Sequence, residues 1–393
     1  MLKKDDFFEN YFTNSKKYNI NLKKTKKIYN SLILDIKEKK IPLLETYEKN
    51  YELDCSKNII RNFSKYKNII IIGMGGSILG TEAIYNFLRH KIKKRFYFFN
   101  NLSVFFNKIN NNKTLNLIVS KSGNTLETIS NANILINKRS KNIFITETKN
   151  SYLAKLANKL KSEIVEHKNF VGGRYSVLSE VGMLPSELMG LSEKKFKQLN
   201  NLIKNKNFLN NLTVNVSTII DLLNNGKFTS VILNYDDRSE SLFRWYQQLV
   251  AESLGKKGKG ILPIVSTMPR DNHSLMQFYL DGPKKNFFTF FYVFDKQSEK
   301  IKSNQLFPSH IYLKNKTISK IIYSQKVATE KIFLKKKIPF RSFEIFNRNE
   351  QTLGELFCFF ILETILLGRA LKINPFDQPS VELIKKETKK ILI

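Results

Sequence analysis

The sequence predicts an α/β protein built as two tandem α/β/α sandwiches with mainly parallel sheets, flanked by N-terminal and C-terminal helices. Three observations point to this class. Short apolar runs, NIIII at 68–72, TLNLIVS at 114–120 and KNIFITE at 141–147, are separated by stretches of helical length, as buried parallel strands with crossover helices are. A second set follows the polar stretch around 191–212, with SVILNYD at 230–236 and NFFTFFYVFD at 286–295 as strands and 238–254 as a helix. At 393 residues, 42% of them apolar and 12% aromatic, the chain can fill two cores.

Taken in order, residues 20–48 space Ile and Leu at helical intervals with no Gly or Pro before Pro42, which predicts a helical arm. The expected divisions are 1–50 for this arm, 51–205 for a first, smaller α/β unit, 206–373 for a second, larger one, and 374–393 for a C-terminal segment and helix. The most apolar segment, 353–371, carries Glu355 and Glu363 within it, so a buried helix is expected and not a membrane span. The opening MLKKDDFFEN mixes acids with bases and lacks the apolar stretch of an export signal. Cys55 and Cys358 stand far apart without a partner motif, which fits a reducing, cytoplasmic setting.

The 66 basic and 34 acidic residues leave a formal charge of +32. A nucleic-acid footprint would cluster these charges with aromatic residues on one face. Here the lysines are interleaved with Asn and Ile along the whole chain, the mark of compositional drift, so no nucleic-acid partner is expected. A positive field still attracts a phosphorylated small molecule. The four histidines, His90, His167, His273 and His310, lie far apart without ligand spacing, so no metal site is expected.

Five stretches carry the chemistry. In IIIIGMGGSILG a strand runs into Gly73, Gly75, Gly76 and Ser77 and then a helix, which brings backbone close to a ligand. Position 78 is Ile, so the G-x-G-x-x-G dinucleotide fingerprint is absent. In IVSKSGNTLET, residues Ser120, Lys121, Ser122, Asn124 and Thr125 sit at the carboxyl end of a strand and the start of a helix, a cluster suited to phosphate. Thr125 as a helix cap explains one hydroxyl of that cluster and not the rest. VGGRYSVLSEVGMLP offers Arg174 beside paired glycines, either in a crevice or on a surface turn. The stretch 247–283 places Glu252 near a helix end and His273 in a polar turn, the residue types of proton transfer. NPFDQPSVELIKK is a Pro-punctuated turn into a C-terminal helix with Gln378 and Lys385.

Together and in this order, these stretches closely resemble the glucose-6-phosphate isomerase (phosphoglucose isomerase) family, within the wider group of sugar isomerase domains, over about residues 68–386. The resemblance implies two sugar-isomerase-type domains and the cofactor-free interconversion of glucose 6-phosphate and fructose 6-phosphate through a cis-enediol. It implies that Ser120, Lys121, Ser122 and Thr125 hold the 6-phosphate while Gly76 and Ser77 line the sugar. Glu252 matches the base that moves the proton between C2 and C1, and Arg174 the arginine that stabilises the enediolate. His273 matches the histidine that helps open the ring, oriented by Glu127, and Lys385 a lysine also assigned to ring opening, with Gln378 beside it. The family's histidine is lent by the partner subunit, so a homodimer is implied. Thr81 and Ser380 depart from the common proline and glycine of the family, and the chain is short for it. Other sugar-phosphate isomerases of the domain group, or a non-catalytic sugar-phosphate sensor, share the phosphate loop; neither is expected to keep all five stretches.

Overall fold

Ile69, Ile70, Ile71 and Ile72 have no exposed surface, and their strand β1 (Asn68–Gly73) accordingly lies inside a sheet. The structure is a computed structural model that describes residues 16–55, 57–103, 114–136, 140–295, 297–302 and 306–393. The first ten residues, expected above to carry no export signal, lie outside that set. Beside β1 run β2 (Arg95–Phe99), β3 (Thr114–Val119), β4 (Lys141–Thr146) and β5 (Glu163–Glu166), in the order β2-β1-β3-β4-β5 with every pairing parallel. Two helices precede this sheet, α1 (Lys16–Lys37) and α2 (Lys57–Phe63), while α3 (Leu79–Phe87), α4 (Leu126–Leu135) and α5 (Tyr152–Lys159) lie between its strands.

Helices α6 (Glu180–Leu188), α7 (Glu193–Phe196), α8 (Leu199–Leu202) and α9 (Lys206–Asn224) lead to a second parallel sheet. Its strands are β6 (Thr229–Asn234), β7 (Leu262–Thr267), β8 (Asn286–Val293) and β9 (Phe340–Ile345), ordered β7-β6-β8-β9. Helices α10 (Glu240–Leu254), α11 (Met276–Asp281) and α12 (Ile318–Lys335) connect them, followed by α13 (Glu350–Ala370) and α14 (Val381–Leu392). The α/β reading with two parallel sheets and terminal helices therefore holds. Strands β2, β5, β7 and β9 are additions to it. β7 carries Pro263, which an edge strand tolerates because the missing N–H can face outward.

The N-terminal helix is shorter than its periodicity suggests. Lys39 takes a left-handed conformation (φ 56°) and Pro42 opens a 3-10 turn at Pro42–Tyr47. The arm packs on α9 and α13, with Arg369 of α13 donating to Asp35 at 2.7 Å.

The apolar helix α13 is buried along nearly its whole length, and among the described residues no helix is long and apolar enough to cross a membrane. Of its two expected charges, Glu355 accepts from Gln351 Nε2 at 3.1 Å and Glu363 is the more deeply buried. It forms a fully buried ion pair with Arg341 of β9, and it accepts from Tyr246 Oη at 3.0 Å and Asn215 Nδ2 at 2.5 Å. Arg341 also donates to Thr289 Oγ1 at 2.9 Å. A buried charge with this many partners is satisfied; removing one partner would strand the other.

Candidate active site

β1 and β3 are neighbours in register, Gly73 opposite Val119, so the loops leaving their carboxyl ends start side by side. This is the crevice position at which open α/β sheets bind ligands. From β1 the chain enters a 3-10 turn, Gly75–Ser77, with Gly75 at φ 52°. A Cβ on Gly75 would lie 2.7 Å from Gln248 Nε2, and one on Gly76 would lie 2.1 Å from the Gly173 carbonyl carbon. The glycines thus let the β1 turn touch both α10 and the turn Gly173–Leu178 that carries Arg174. Ser176 Oγ ties the two turns by donating to Gly76 O at 3.2 Å.

Arg174 is buried, and all five of its N–H donors have protein acceptors. Nε donates to Ser253 Oγ at 2.7 Å, Nη1 to Gln378 Oε1 at 2.7 Å and Glu252 Oε1 at 3.1 Å, and Nη2 to Pro375 O at 2.7 Å and Asp377 O at 3.1 Å. One guanidinium therefore gathers the end of α10 and the segment before α14. Arg174 is therefore buried and does not lie on a surface turn. Glu252 accepts on its second oxygen from Gln248 Nε2 at 2.9 Å, while its side chain stays 22% exposed. A carboxylate braced by two donors and still open to solvent can meet a small molecule without searching for its orientation.

The Ser120–Thr125 loop is closed by its own side chains. Ser120 Oγ and Thr125 Oγ1 are 2.8 Å apart, and Ser122 Oγ accepts the Asn124 amide at 3.2 Å. Thr125 is the N-cap residue of α4, but its side chain makes no capping hydrogen bond and its hydroxyl meets Ser120 instead. Gly123 sits at φ 65° with Ser151 Oγ 2.1 Å from where a Cβ would be, which is why this loop contains a glycine. Lys121 Nζ donates to Asn169 O at 2.7 Å and lies 3.8 Å from Glu147. Partial burial, opposed by Glu147 and reinforced by Lys149, draws its ammonium below the usual lysine range.

Three candidates stand apart within the single chain. His273 ends the 3-10 turn Arg270–His273 after the edge strand β7, exposed and with no hydrogen-bond partner for its ring among the described residues. The turn itself is pinned by Asp271, whose carboxylate accepts from Ser266 Oγ and the Thr267 amide at 2.9 Å each. Burial works against the charged form of Asp271, but these hydrogen bonds and Arg270 outweigh it and hold the carboxyl below its ordinary range. Glu127, in the first turn of α4, likewise has no side-chain partner among the described residues and does not meet His273 in this chain. Lys385 lies on α14, none of whose residues is buried, and its ammonium pairs with Glu382 at 2.6 Å. No described hydrogen bond links it to Glu252 or Arg174.

Sequence reading missed Gln248, Ser253 and Tyr175. Gln248 stands four residues before Glu252 on α10, a spacing that places both on one helix face. Tyr175 Oη donates to Pro375 O and contacts Ser253 Oγ, both at 2.9 Å, and no local pattern foretells either.

A family model described as phosphoglucose isomerase matches residues 52–265, which include Gly76, Ser120, Arg174 and Glu252 but neither His273 nor Lys385. A probable glucose-6-phosphate isomerase of Methanococcus maripaludis is 34% identical over 366 residues, covering 88% of this chain and 81% of the relative. The glucose-6-phosphate isomerase of Methanocaldococcus jannaschii is 34% identical over 355 residues, covering 83% and 84%. Among solved structures, a hypothetical protein of Thermus thermophilus superposes with a TM-score of 0.83 at 21% identity over all of both chains. The glucose-6-phosphate isomerase of Chlamydia trachomatis superposes with a TM-score of 0.72 at 19% identity, over 85% of this chain and 71% of that one. At such identities the two superpositions speak for the fold alone.

Proposed function

The chain belongs to the phosphoglucose isomerase family, and from that premise we propose that it interconverts glucose 6-phosphate and fructose 6-phosphate, with Glu252 as the proton carrier. The observation that carries the assignment is the braced, solvent-open carboxylate of Glu252 between Arg174 and Gln248, beside the glycine turn of β1.

The chemistry requires a base that removes a proton α to a carbonyl and returns it to the adjacent carbon. Starting from open-chain fructose 6-phosphate, Glu252 takes the proton on C1, the electrons of that C–H bond form the C1–C2 double bond, and the C2 carbonyl oxygen becomes an enediolate. Return of the proton to C2, with a proton shift between O1 and O2, yields the aldose. One carboxylate suffices because both carbons lie on the same face of the planar enediol. Arg174 is the permanent cation beside the developing oxyanion; with its donors engaged by protein, it acts chiefly as a fixed charge, and substrate oxygen gains an N–H by displacing Gln378 or Glu252 from Nη1.

Ser120, Lys121, Ser122 and Thr125 are assigned to the 6-phosphate, and Gly76 and Ser77 to the sugar. The compact hydroxyl loop and the helix-start amides of α4 support the first of these. His273 and Glu127 are assigned to ring opening across a homodimer, Glu127 orienting the partner subunit's histidine. The exposure of His273, and the absence of a side-chain partner for either residue among the described residues, support that sharing. Gln378 is assigned to substrate binding, and Lys385 remains a candidate for ring opening only if α14 is repositioned by the second subunit. A cytoplasmic, glycolytic and gluconeogenic setting follows from the same premise, as does the division into units 51–205 and 206–373.

The test is proton NMR of the purified protein with fructose 6-phosphate in D₂O containing EDTA. Glucose 6-phosphate carrying deuterium at C2 is the expected product, since the transferred proton exchanges with solvent on the carboxylate. No conversion by the folded protein would overturn the assignment.

A further inference from the structure

Segment 374–378 supplies Gln378 and both acceptors of Arg174 Nη2, yet it is poorly anchored by packing. Pro375 is buried, and from Phe376 to the end of the chain no residue is. The ring of Phe376 rests 5.7 Å from that of Tyr175, and Pro375 abuts Gly368. Against this stands Lys256, two residues beyond the end of α10. Its Nζ donates to Asn374 O, Asp377 O and Asp377 Oδ1, each at 2.5 Å, so all three of its N–H groups go to this one segment. The lysine side chain is only 13% exposed. Its backbone is fixed in turn by a two-way bridge with Lys259, N to O at 3.1 Å and 2.9 Å, across a turn that uses positive φ at Lys257 and Gly258.

We propose that Lys256 is a positioning residue that latches segment 374–378 onto the end of α10 and thereby sets Arg174 and Gln378 against Glu252. The inference rests on the role given to Glu252 and Arg174 above. Asp377 O is shared, accepting from Lys256 and from Arg174, so displacement at one cation is felt at the other. The segment moves as one piece because Asn374 braces it internally, donating to Asp377 Oδ2 at 3.0 Å and accepting the Phe376 amide at 3.1 Å. Without Lys256 the piece hangs on Arg174 and Tyr175. Arg174 then loses the geometry of two carbonyl acceptors and of Gln378 together, while Glu252 stays where α10 puts it. The Lys256 hydrogen bond also holds the Asp377 carboxyl below its ordinary range, as a real ion pair requires.

Two variants of the full-length protein test this, Lys256→Met, which keeps the stem and removes the ammonium, and Lys256→Arg, which restores a cation. Turnover and KM with fructose 6-phosphate are measured with amide hydrogen exchange over 374–378 and the thermal midpoint. Lys256→Met is expected to lower kcat about 10- to 100-fold, as misplaced catalytic groups do, with KM moving far less, exchange over 374–378 faster, and the midpoint unchanged. Lys256→Arg is expected to recover most of both losses. Wild-type kcat with unchanged exchange in Lys256→Met would overturn the latch. Should Lys256→Met fail to fold, Asp377→Ala removes the side-chain partner from the exposed side; faster exchange and a smaller loss of kcat support the latch, and no change in either overturns it. A wild-type protein without isomerase activity would sink the proposed function, and the exchange comparison alone would then decide the latch.

Discussion

Glu252→Gln separates the role of proposed base from the scaffold, because the surroundings of Glu252 can absorb the change. Both carboxylate oxygens accept: Oε1 from Arg174 Nη1 at 3.1 Å and Oε2 from Gln248 Nε2 at 2.9 Å. A glutamine must set its NH₂ toward one of these donors. Keeping its oxygen on Arg174, it faces Gln248, whose own Oε1 is buried without a hydrogen-bond partner among the described residues. Rotation of the Gln248 amide brings that oxygen to the new NH₂ and repairs the contact, so stability and substrate binding should change little. What is lost is the basic oxygen. Loss of a general base costs about 10²- to 10⁴-fold in kcat, or ~2.7 to 5.4 kcal/mol of barrier. The assay couples glucose 6-phosphate formation to its dehydrogenase, with KM and a thermal midpoint from the same preparation. Turnover near wild type would remove Glu252 from the mechanism. A large fall in the midpoint would refute the repair by Gln248.

Other perturbations probe the frame around that carboxylate. Gly76→Ala puts a Cβ 2.1 Å from the Gly173 carbonyl carbon and 2.5 Å from the Arg174 amide nitrogen; a displaced Arg174 turn should cost about 100-fold in kcat. Gly173→Ala has nothing within 4 Å of the added carbon, so it should behave as wild type in the same assay. Glu363→Gln strands the buried Arg341 charge and should destabilise by about 3–5 kcal/mol in denaturant titration. His167 is lowered from an ordinary 6.5 to about 4 by burial, only partly offset by backbone hydrogen bonding. A base with a depressed folded pKa favours the folded state fully above its unfolded pKa, and this contribution drains as pH falls from about 6.5 to about 4, up to ~3 kcal/mol. Denaturation midpoints of wild type and His167→Asn should therefore converge between pH 7.5 and pH 4.5; a gap that stays constant would show that folding does not depress the His167 pKa.

Much of the fold was legible because burial on both faces leaves a local trace. An unbroken run such as Ile69–Ile72 can hardly be anything other than an inner strand, and the same holds for β3, β4, β6 and β8. The edge strands β5 and β7 carry mixed residues, including Pro263, so no run announced them, while β2 has an apolar run, Phe96–Phe99, that is short and only partly buried. β9 is hidden differently, since Arg341 within it reads as exposed until Glu363 of α13 is placed beside it. In the site, the loop at 120–125 was readable because its residues are contiguous. Gln248 could have been found from its spacing to Glu252.

By itself the sequence determined the α/β class, the two sets of strands, the glycine turn, the hydroxyl loop and the family to which the chain belongs. These rest on contiguous residues and short-range sterics: periodicity, the burial of apolar runs, and glycine where backbone must pass close. Tertiary structure alone decided that Glu252 and Gln378 share the guanidinium of Arg174, that Lys256 binds the segment carrying Gln378, and that Lys385 and His273 make no described hydrogen bond to them in a single chain. Residues 174, 252 and 378 meet only because a buried cation must find acceptors wherever the packed chain supplies them. An exposed lysine on a helix with no buried residue meets no such demand, and its place is left to whatever packs against that helix.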